Sequence, residues 1–340
     1  MLHHLPRALR RPTALVLAPA LALSLAACGS DDGDDPQGFD AVEISGDYGT
    51  SPTFDFSAEV PAGDAEQETL IEGDGAELAD GDRVLVNLAV ADGFTEDVVV
   101  DTFADDLTGF VATVGEEAGE PQVAGDLLAG YVSDQIEAGM TVGTRFAVTV
   151  GVPQAFPDYV TAFTTYDVGN ADGLVFVADL VGVVAEGADG QAQKPAGWAP
   201  RVVEKKGVPT SLDFDGTPEP SGKLRVTTLI EGGGPEVVDG SIAVVDYLGQ
   251  VYDGAKPFDE SFSEDRTLTA VVGADAAPLV NSTLATPVIK GWSEGLVGVT
   301  AGSRVLIEIP PKLGYGKAGQ GEDIPGNSTL YFLVDVLGTA

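Results

Sequence analysis

The residues able to do acid-base, nucleophilic or metal chemistry are unevenly placed along this chain. Both histidines, His3 and His4, and the single cysteine, Cys28, fall within the first 28 of 340 residues. That opening carries a basic segment (Arg7, Arg10, Arg11), an apolar run from Ala14 to Leu25 and the small-residue stretch Leu25-Ala26-Ala27-Cys28. This is the order of a secretory signal peptide, too short and wrongly flanked for a membrane span. With it removed, the chain keeps no imidazole, which excludes Ser-His-Asp and Cys-His catalysis and any His/Cys zinc site. Acids, amides, hydroxyls and aromatics are what remain for chemistry.

The stretch Leu25 to Cys28 resembles the lipobox of bacterial lipoproteins. The resemblance implies that residues 1-27 are a lipoprotein signal peptide and that Cys28 is lipidated and becomes the new N-terminus. The expected location is then the extracytoplasmic face of the cell membrane, attached by the lipid anchor at Cys28 and not by a span. The other reading is an ordinary secretory signal with an incidental cysteine. Residues 28-39 follow as a polar, acidic tether; its acids lack the spacing and closing Glu of a calcium loop, and its composition is that of a solvated linker. Formal net charge is -37, from 54 acids against 17 Lys and Arg. Nucleic acid as a partner is excluded on that balance, since neutralising phosphates needs clustered cations.

Positioning elements are clearest near the C-terminus. Thr286-Pro287 reads as an N-cap followed by Pro at the first helical position, and Val288, Trp292 and Leu296 then fall at i, i+4 and i+8 on one apolar face. Gly291, Gly295 and Gly298 weaken that helix on propensity, so tertiary packing must hold it. Arg304 to Ile309 alternates as a strand ended by Pro310-Pro311, Leu313 to Pro325 is a Gly-rich loop, and Leu330 to Val336 is a closing strand.

The chain also repeats. Thr69-Leu70-Ile71-Glu72-Gly73 recurs as Thr228-Leu229-Ile230-Glu231-Gly232, and Gly143-Thr144-Arg145 as Gly302-Ser303-Arg304, both 159 residues on. The offset becomes 156 where Phe176 meets Phe332. So long a period means two copies of a domain. The boundaries read as 40-185 and 203-340, joined by a linker over 186-202 whose Trp198 is expected to pack on a domain. Short β-branched strands with one short helix per copy argue an α+β class, an antiparallel sheet covering a helix.

Four motifs in the second copy carry a family resemblance. They are Val244-Val245-Asp246-Tyr247-Leu248-Gly249, Phe258-Asp259-Glu260-Ser261, Val288-Ile289-Lys290-Gly291-Trp292-Ser293-Glu294-Gly295, and Tyr315-Gly316 with the close Ile324-Pro325 to Leu330-Tyr331-Phe332. In this order they resemble an FKBP-type peptidyl-prolyl cis-trans isomerase. The resemblance implies two FKBP-like domains, the first degenerate, no cofactor, and proline-containing exported polypeptides and FKBP-class macrolides as partners. It further implies that Trp292 floors a pocket beneath the proline ring and that Tyr247, Phe258, Val288, Ile289 and Phe332 wall it. Tyr315 would bond a substrate carbonyl through its hydroxyl, the Ile289 backbone N-H would hold another, and Asp259 would sit at the polar rim. Departures are Leu268 where the family often has an aromatic, Gln320 where it often has His, and a long insertion from Ala274 to Ala285.

In the first copy the offset of 159 sets Leu88 opposite Tyr247 and Ser133 opposite Trp292, a spacing of 158 sets Val100 opposite Phe258 and Asp101 opposite Asp259, and no Tyr-Gly pair follows Gly151. A copy that keeps its strands and loses its pocket aromatics is expected to fold without comparable catalysis, for spacing or for holding client chains. The function expected of the whole is prolyl isomerisation during folding of exported proteins. The alternatives are a non-catalytic chaperone or binding module on the same fold, and a surface lipoprotein with purely structural domains.

Overall fold

The computed structural model describes residues 36-104, 107-264, 266-273, 277-280 and 285-340; the signal segment, Cys28 and most of the tether lie outside them. The first copy opens with a hairpin, β1 (Val42–Ser45) and β2 (Thr53–Phe56). Its sheet uses β3 (Glu66–Ile71), β4 (Arg83–Asp92), β5 (Val98–Asp101), the two-residue β6 (Leu107–Thr108) that pairs elsewhere, and β7 (Phe110–Thr113). Helix α1 (Ala124–Ser133), β8 (Arg145–Gly151), the single turn α2 (Val152–Ala155) and β9 (Gly173–Val183) complete it. The order is β3-β8-β9-β4, with β5 and β7 both pairing β4.

The second copy repeats this plan. After β10 (Gly190–Ala192) come a hairpin of β11 (Arg201–Lys205) and β12 (Val208–Asp213), then β13 (Arg225–Gly232), β14 (Ile242–Val251), β15 (Asp259–Glu260) and β16 (Leu268–Val271). Two short strands, β17 (Ala277–Pro278) and β18 (Thr286–Pro287), precede helix α3 (Lys290–Leu296), β19 (Arg304–Ile309) and β20 (Leu330–Thr339). The order β13-β19-β20-β14, with β15 and β16 on β14, matches the first copy strand for strand.

The match extends to irregularities. A register shift lies between Thr69 and Ile71 in β3 and between Thr228 and Ile230 in β13. Isolated bridges join Glu77 to Thr141 and Glu236 to Thr300. The Gly-Thr/Ser-Arg signature has the same use twice. Arg145 Nε donates to Asp179 Oδ1 at 2.6 Å, and Arg304 Nε to Asp335 Oδ1 at 2.6 Å. Thr144 and Ser303 take the backbone N-H of Gly73 and Gly232.

Strand β14 is buried on both faces, which is why it reads as an almost unbroken apolar run. Ala243, Val245 and Tyr247 point to the core beneath α3, with Val305, Ile307, Phe332 and Val334. Ile242 and Val244 point the other way and join Leu337 and Val271 in one core with the first copy. Leu248, on that same outer side, joins Leu212, Leu306, Tyr331 and Leu333 under the β11–β12 hairpin. The β1–β2 hairpin covers Val175 and Ala91 of the first sheet in the same way.

Two expectations change on this fold. Residues 186-202, expected as a linker, include β10, which pairs with β13 as an edge strand of the second sheet. Trp198 packs against Tyr331 with ring centroids 6.4 Å apart and lies under the Arg225 guanidinium at 4.5 Å. Thr286 and Pro287 do not open the helix: they run parallel to Ala270 and Val271 in β18, and Ile289 is the N-cap. The sheet edge takes these two residues because an extended backbone with no Pro N-H still serves a short edge strand. The glycines of α3 do have a packing reason. A Cβ on Gly291 would stand 2.3 Å from Ile309 Cγ2, and one on Gly295 3.1 Å from Ile307 Cγ2, so the helix lies closer to β19 than alanine would allow.

The insertion before α3 is part of the contact between the copies. Ala277 and Pro278 pair in parallel with Leu107 and Thr108, and Leu279, Val280 and Ala285 are buried in the first copy's core. The Leu279 carbonyl crosses α1 at Gly125, where any Cβ would come within 1.8 Å of its oxygen.

Candidate active site

The site starts from the pleat of β14. Period-two alternation sends Tyr247 to the helix side, and Gly249, two residues on, faces the same way without a side chain. A Cβ there would lie 2.6 Å from Phe258 Cζ and 2.6 Å from Phe332 Cε1. The glycine thus opens the space in which those two rings meet. Phe332 comes from β20, directly opposite Gly249 in the ladder. Trp292 comes from the first turn of α3.

These side chains form a continuous series of edge-to-face contacts. Tyr247 and Trp292 have centroids 5.5 Å apart at 80°, Trp292 and Phe332 5.1 Å at 85°, and Phe258 and Phe332 5.6 Å at 82°. Each such pair contributes about 0.5-1.5 kcal/mol beyond area burial. Tyr247, Trp292 and Phe332 are buried, while Phe258, Val288, Ile289 and Tyr315 are half-buried on the same cluster. All eight residues expected from the motifs, Asp259 included, therefore lie around one end of the second core.

The polar rim is built on Asp259. The Tyr247 hydroxyl donates to Asp259 Oδ2 at 2.5 Å, and Arg266 Nη2 approaches Asp259 Oδ1 at 3.4 Å while also donating to the Glu260 carbonyl at 3.1 Å. Arg266 Nε pairs with Glu264. Burial, helped by Asp259, pushes the Tyr247 hydroxyl up to about 12. Burial and the Asp259 charge also raise the Tyr315 hydroxyl. Both phenols are therefore neutral donors across the physiological range. Neither the Tyr315 hydroxyl nor the Ile289 N-H bonds another described residue. An apolar wall with two unused donors beside it suits a ligand that is apolar in the middle and carries carbonyls at its ends.

Arg266 and Ser261 were not singled out from the motifs. Ser261 is fully buried; its hydroxyl accepts the Tyr247 N-H at 2.9 Å and donates to Asp246 at 3.0 Å. It fixes the backbone that carries Tyr247. The available signal for Arg266 was a lone cation among Asp259, Glu260, Glu264 and Asp265.

The first copy departs from the expected correspondence. Gly249 pairs with Asp259 and Val90 with Val100, so Val100 holds the place of Asp259, and Asp101, opposite Ala89, holds that of Glu260. The slip is one residue, which in a strand moves a side chain to the other face. Ser133 is not the counterpart of Trp292 in contact. Tyr131 is the α1 residue that meets Phe176, at 5.1 Å, the same separation as Trp292 from Phe332. Phe156, 159 residues before Tyr315, packs on Tyr131 at 5.6 Å and on Phe163 at 4.8 Å. The first copy keeps an aromatic cluster, but closes it on itself: Phe156, Phe163 and Phe176 are all buried. The Ser261 pin survives as Thr102, whose hydroxyl accepts the Leu88 N-H at 2.8 Å.

Residues 234–337 match the family model of FKBP-type peptidyl-prolyl cis-trans isomerases. An FK506-binding protein of Neisseria meningitidis serogroup A is 37% identical over 116 residues, which cover 34% of this chain and 95% of that protein. The FKBP-type peptidyl-prolyl cis-trans isomerase FkpA of Escherichia coli is 34% identical over 152 residues, covering 45% of this chain and 47% of its own length. The crystal structure of FkpA aligns over 40% of this chain and 53% of that one, with a TM-score of 0.29. With an edge-to-face aromatic series at one end of an antiparallel sheet and a relative 37% identical over 95% of its length, the chain belongs to the FKBP-type peptidyl-prolyl cis-trans isomerase family. It consists of two FKBP-like domains, the second of which carries the family's motifs.

Proposed function

We propose that the second domain rotates X-Pro bonds in exported polypeptides, held to the extracytoplasmic face of the cell membrane by a lipid on Cys28. The uncatalysed barrier is about 18-20 kcal/mol because the amide loses resonance as it twists. Neither proton transfer nor a covalent intermediate is needed. The twisted amide is less delocalised and less well solvated than the planar one, so an apolar, water-poor pocket favours it over the ground state.

Each residue has a part in this reading. The proline ring rests on Trp292, between Tyr247, Phe258, Val288, Ile289 and Phe332. The Tyr315 hydroxyl and the Ile289 N-H take carbonyls on either side of the rotating bond, holding the flanking chain while the amide turns. Asp259, held by Tyr247 and Arg266, faces the rim and sets the polarity beside the amide. The same apolar pocket with two donors suits FKBP-class macrolides as competitors. The observation that carries the reading is the Tyr247-Trp292-Phe332-Phe258 series bordered by two donors with no partner among the described residues.

The test is the cis-to-trans rate of an Ala-Leu-Pro-Phe peptide with the protein lacking residues 1-27, beside Trp292→Ala and with an FKBP-directed macrolide. Acceleration that the macrolide abolishes and Trp292→Ala cuts at least about tenfold supports it; tenfold corresponds to about 1.4 kcal/mol of barrier. A folded protein without acceleration overturns it in favour of a binding module. Labelling with palmitate and its loss in Cys28→Ala tests the anchor.

A further inference from the structure

The first domain has an open groove beside its closed aromatic cluster. The groove runs between α1 and the segment after α2, over Leu127, Tyr131, Phe156, Pro157 and Tyr159, and encloses about 220 Å³. Tyr159 is 45% exposed, and Val123 at the start of α1 is 49% exposed. Its polar lining is acidic: Asp126, Asp134 and Asp158. Asp126 already accepts the N-H of Gln122 and Val123 as a helix cap, while burial raises the Asp134 carboxyl. No lysine or arginine lines it.

Cations are scarce across the whole domain. Residues 36-185 contain 29 carboxylates and only two cations, Arg83 and Arg145. Arg145 is buried against Asp179, and Arg83 lies in a different cleft, with Asp246 and Arg266. A field this one-sided attracts cationic chains and repels anionic ones.

Position supplies the second argument. Tyr131 and Phe156 hold the places that Trp292 and Tyr315 hold in the second domain. We infer that this groove is a non-catalytic docking site for an extended polypeptide segment that carries an aromatic or aliphatic side chain flanked by lysine or arginine. The inference rests on the reading that the second domain takes extended client chains. The apolar side chain sits on Tyr131, Phe156 and Tyr159, and the flanking cations face Asp126, Asp134 and Asp158. The site does not rotate prolines: Phe156 has no hydroxyl to offer, and Val100 replaces the rim carboxylate.

The experiment uses the full chain without residues 1-27, saturated with macrolide. Its probe is a fluorescein-labelled proline-free peptide with a benzophenone between two Arg-Leu pairs, beside a second peptide with Glu for Arg. Expected are saturable anisotropy for the Arg peptide, at least about tenfold weaker binding of the Glu peptide, and photo-crosslinks within residues 118-159. Tyr159→Ser and, separately, Asp158→Asn should each weaken the Arg peptide at least about threefold, with melting temperatures that show each variant is folded. Equal binding of both peptides, crosslinks elsewhere, or unchanged binding by both variants overturns the inference. Tetrapeptide isomerisation, measured without macrolide, reports the second domain alone and separates its failure from that of the groove.

Discussion

Where the second domain has Gly249, the first has Val90, and the two occupy the same rung of the same ladder. At Gly249 a Cβ would collide with Phe258 and Phe332, so its absence is what lets the two rings meet over that strand position. Val90 is fully buried and keeps its side chain in the first copy's core, with Leu88 and Val100 in the same cluster. The scaffolds agree down to a shared register shift and a shared Arg-Asp pair, and the difference lies in about half a dozen side chains. The fold alone does not confer the site; the aromatic series forms where one strand position gives up its side chain and two rings take the space.

The sharpest way to break that comparison is to exchange the two residues. Gly249→Val should lower tetrapeptide isomerisation roughly 100-fold, equivalent to about 2.7 kcal/mol of barrier, and cost about 1-3 kcal/mol of stability through overpacking. Val90→Gly should leave the rate within about twofold while destabilising the first domain by about 1-3 kcal/mol through the lost methyl groups and the cavity. Equal effects on catalysis would mean that the domains share the work. The next largest effect concerns the contact between them. Gly125→Val cannot be accommodated beneath the Leu279 carbonyl, so the insertion must lift from α1. Because that insertion leads directly into Val288 and Ile289, the rate should fall about three- to tenfold along with about 1-3 kcal/mol of stability from overpacking. A stability loss with an unchanged rate would show that the pocket wall does not depend on the first domain.

The sequence made some of this legible and hid the rest for physical reasons. Alternating β-branched runs located the long strands, and a fixed offset exposed the duplication, because both are carried by identity and period. The four motifs brought Tyr247, Phe258, Asp259, Trp292, Tyr315 and Phe332 together correctly as neighbours. Hairpins β1–β2 and β11–β12 were missed because they are short and half-exposed, with only one face to patternise. Tyr131 was hidden because the helices do not share the offset: α1 spans Ala124–Ser133, whereas the offset would start it seven residues later, at Tyr131. The Asp101 misplacement was a one-residue slip from 159 to 158 in the spacing; the offset of 159 held strictly, and the ladder pairing, both place Val100 there. Arg266 was overlooked because a lone cation among acids shows no role until Asp259, bonded by Tyr247, is seen beside it.

Smaller effects test whether the polar parts of the two sites differ as described. Tyr315→Phe removes one hydrogen bond of about 0.5-1.5 kcal/mol, so the rate should drop roughly two- to tenfold, with most of the loss in kcat if the bond forms in the twisted state. The reverse change, Phe156→Tyr, should give no isomerisation in the full chain carrying Trp292→Ala and should cost about 1-3 kcal/mol, since Phe156 is buried and the new hydroxyl must find an acceptor. Appearance of activity there would show that the first domain lacks only a donor.

The mildest effect is on alkaline stability, and its sign follows from burial. Tyr247 in the second domain and Tyr48 and Tyr131 in the first are each pushed up to about 12, chiefly by burial. Unfolded, each ionises near its ordinary value of 10. A raised native value means that the folded state holds the proton longer, so stability is fully present below pH 10 and is lost as pH rises from about 10 to 12. Denaturant unfolding at stepped pH should show a flat midpoint to about pH 9.5 and then a decline. Tyr247→Phe should remove part of that decline from the second domain, and Tyr131→Phe part of it from the first. The isomerisation rate should stay flat to about pH 9.5, because Tyr247 and Tyr315 both remain protonated there and no imidazole borders the pocket. A rate that titrates near neutrality would place an ionising group in the rotation step and overturn the account of a pocket acting through apolar walls and neutral donors.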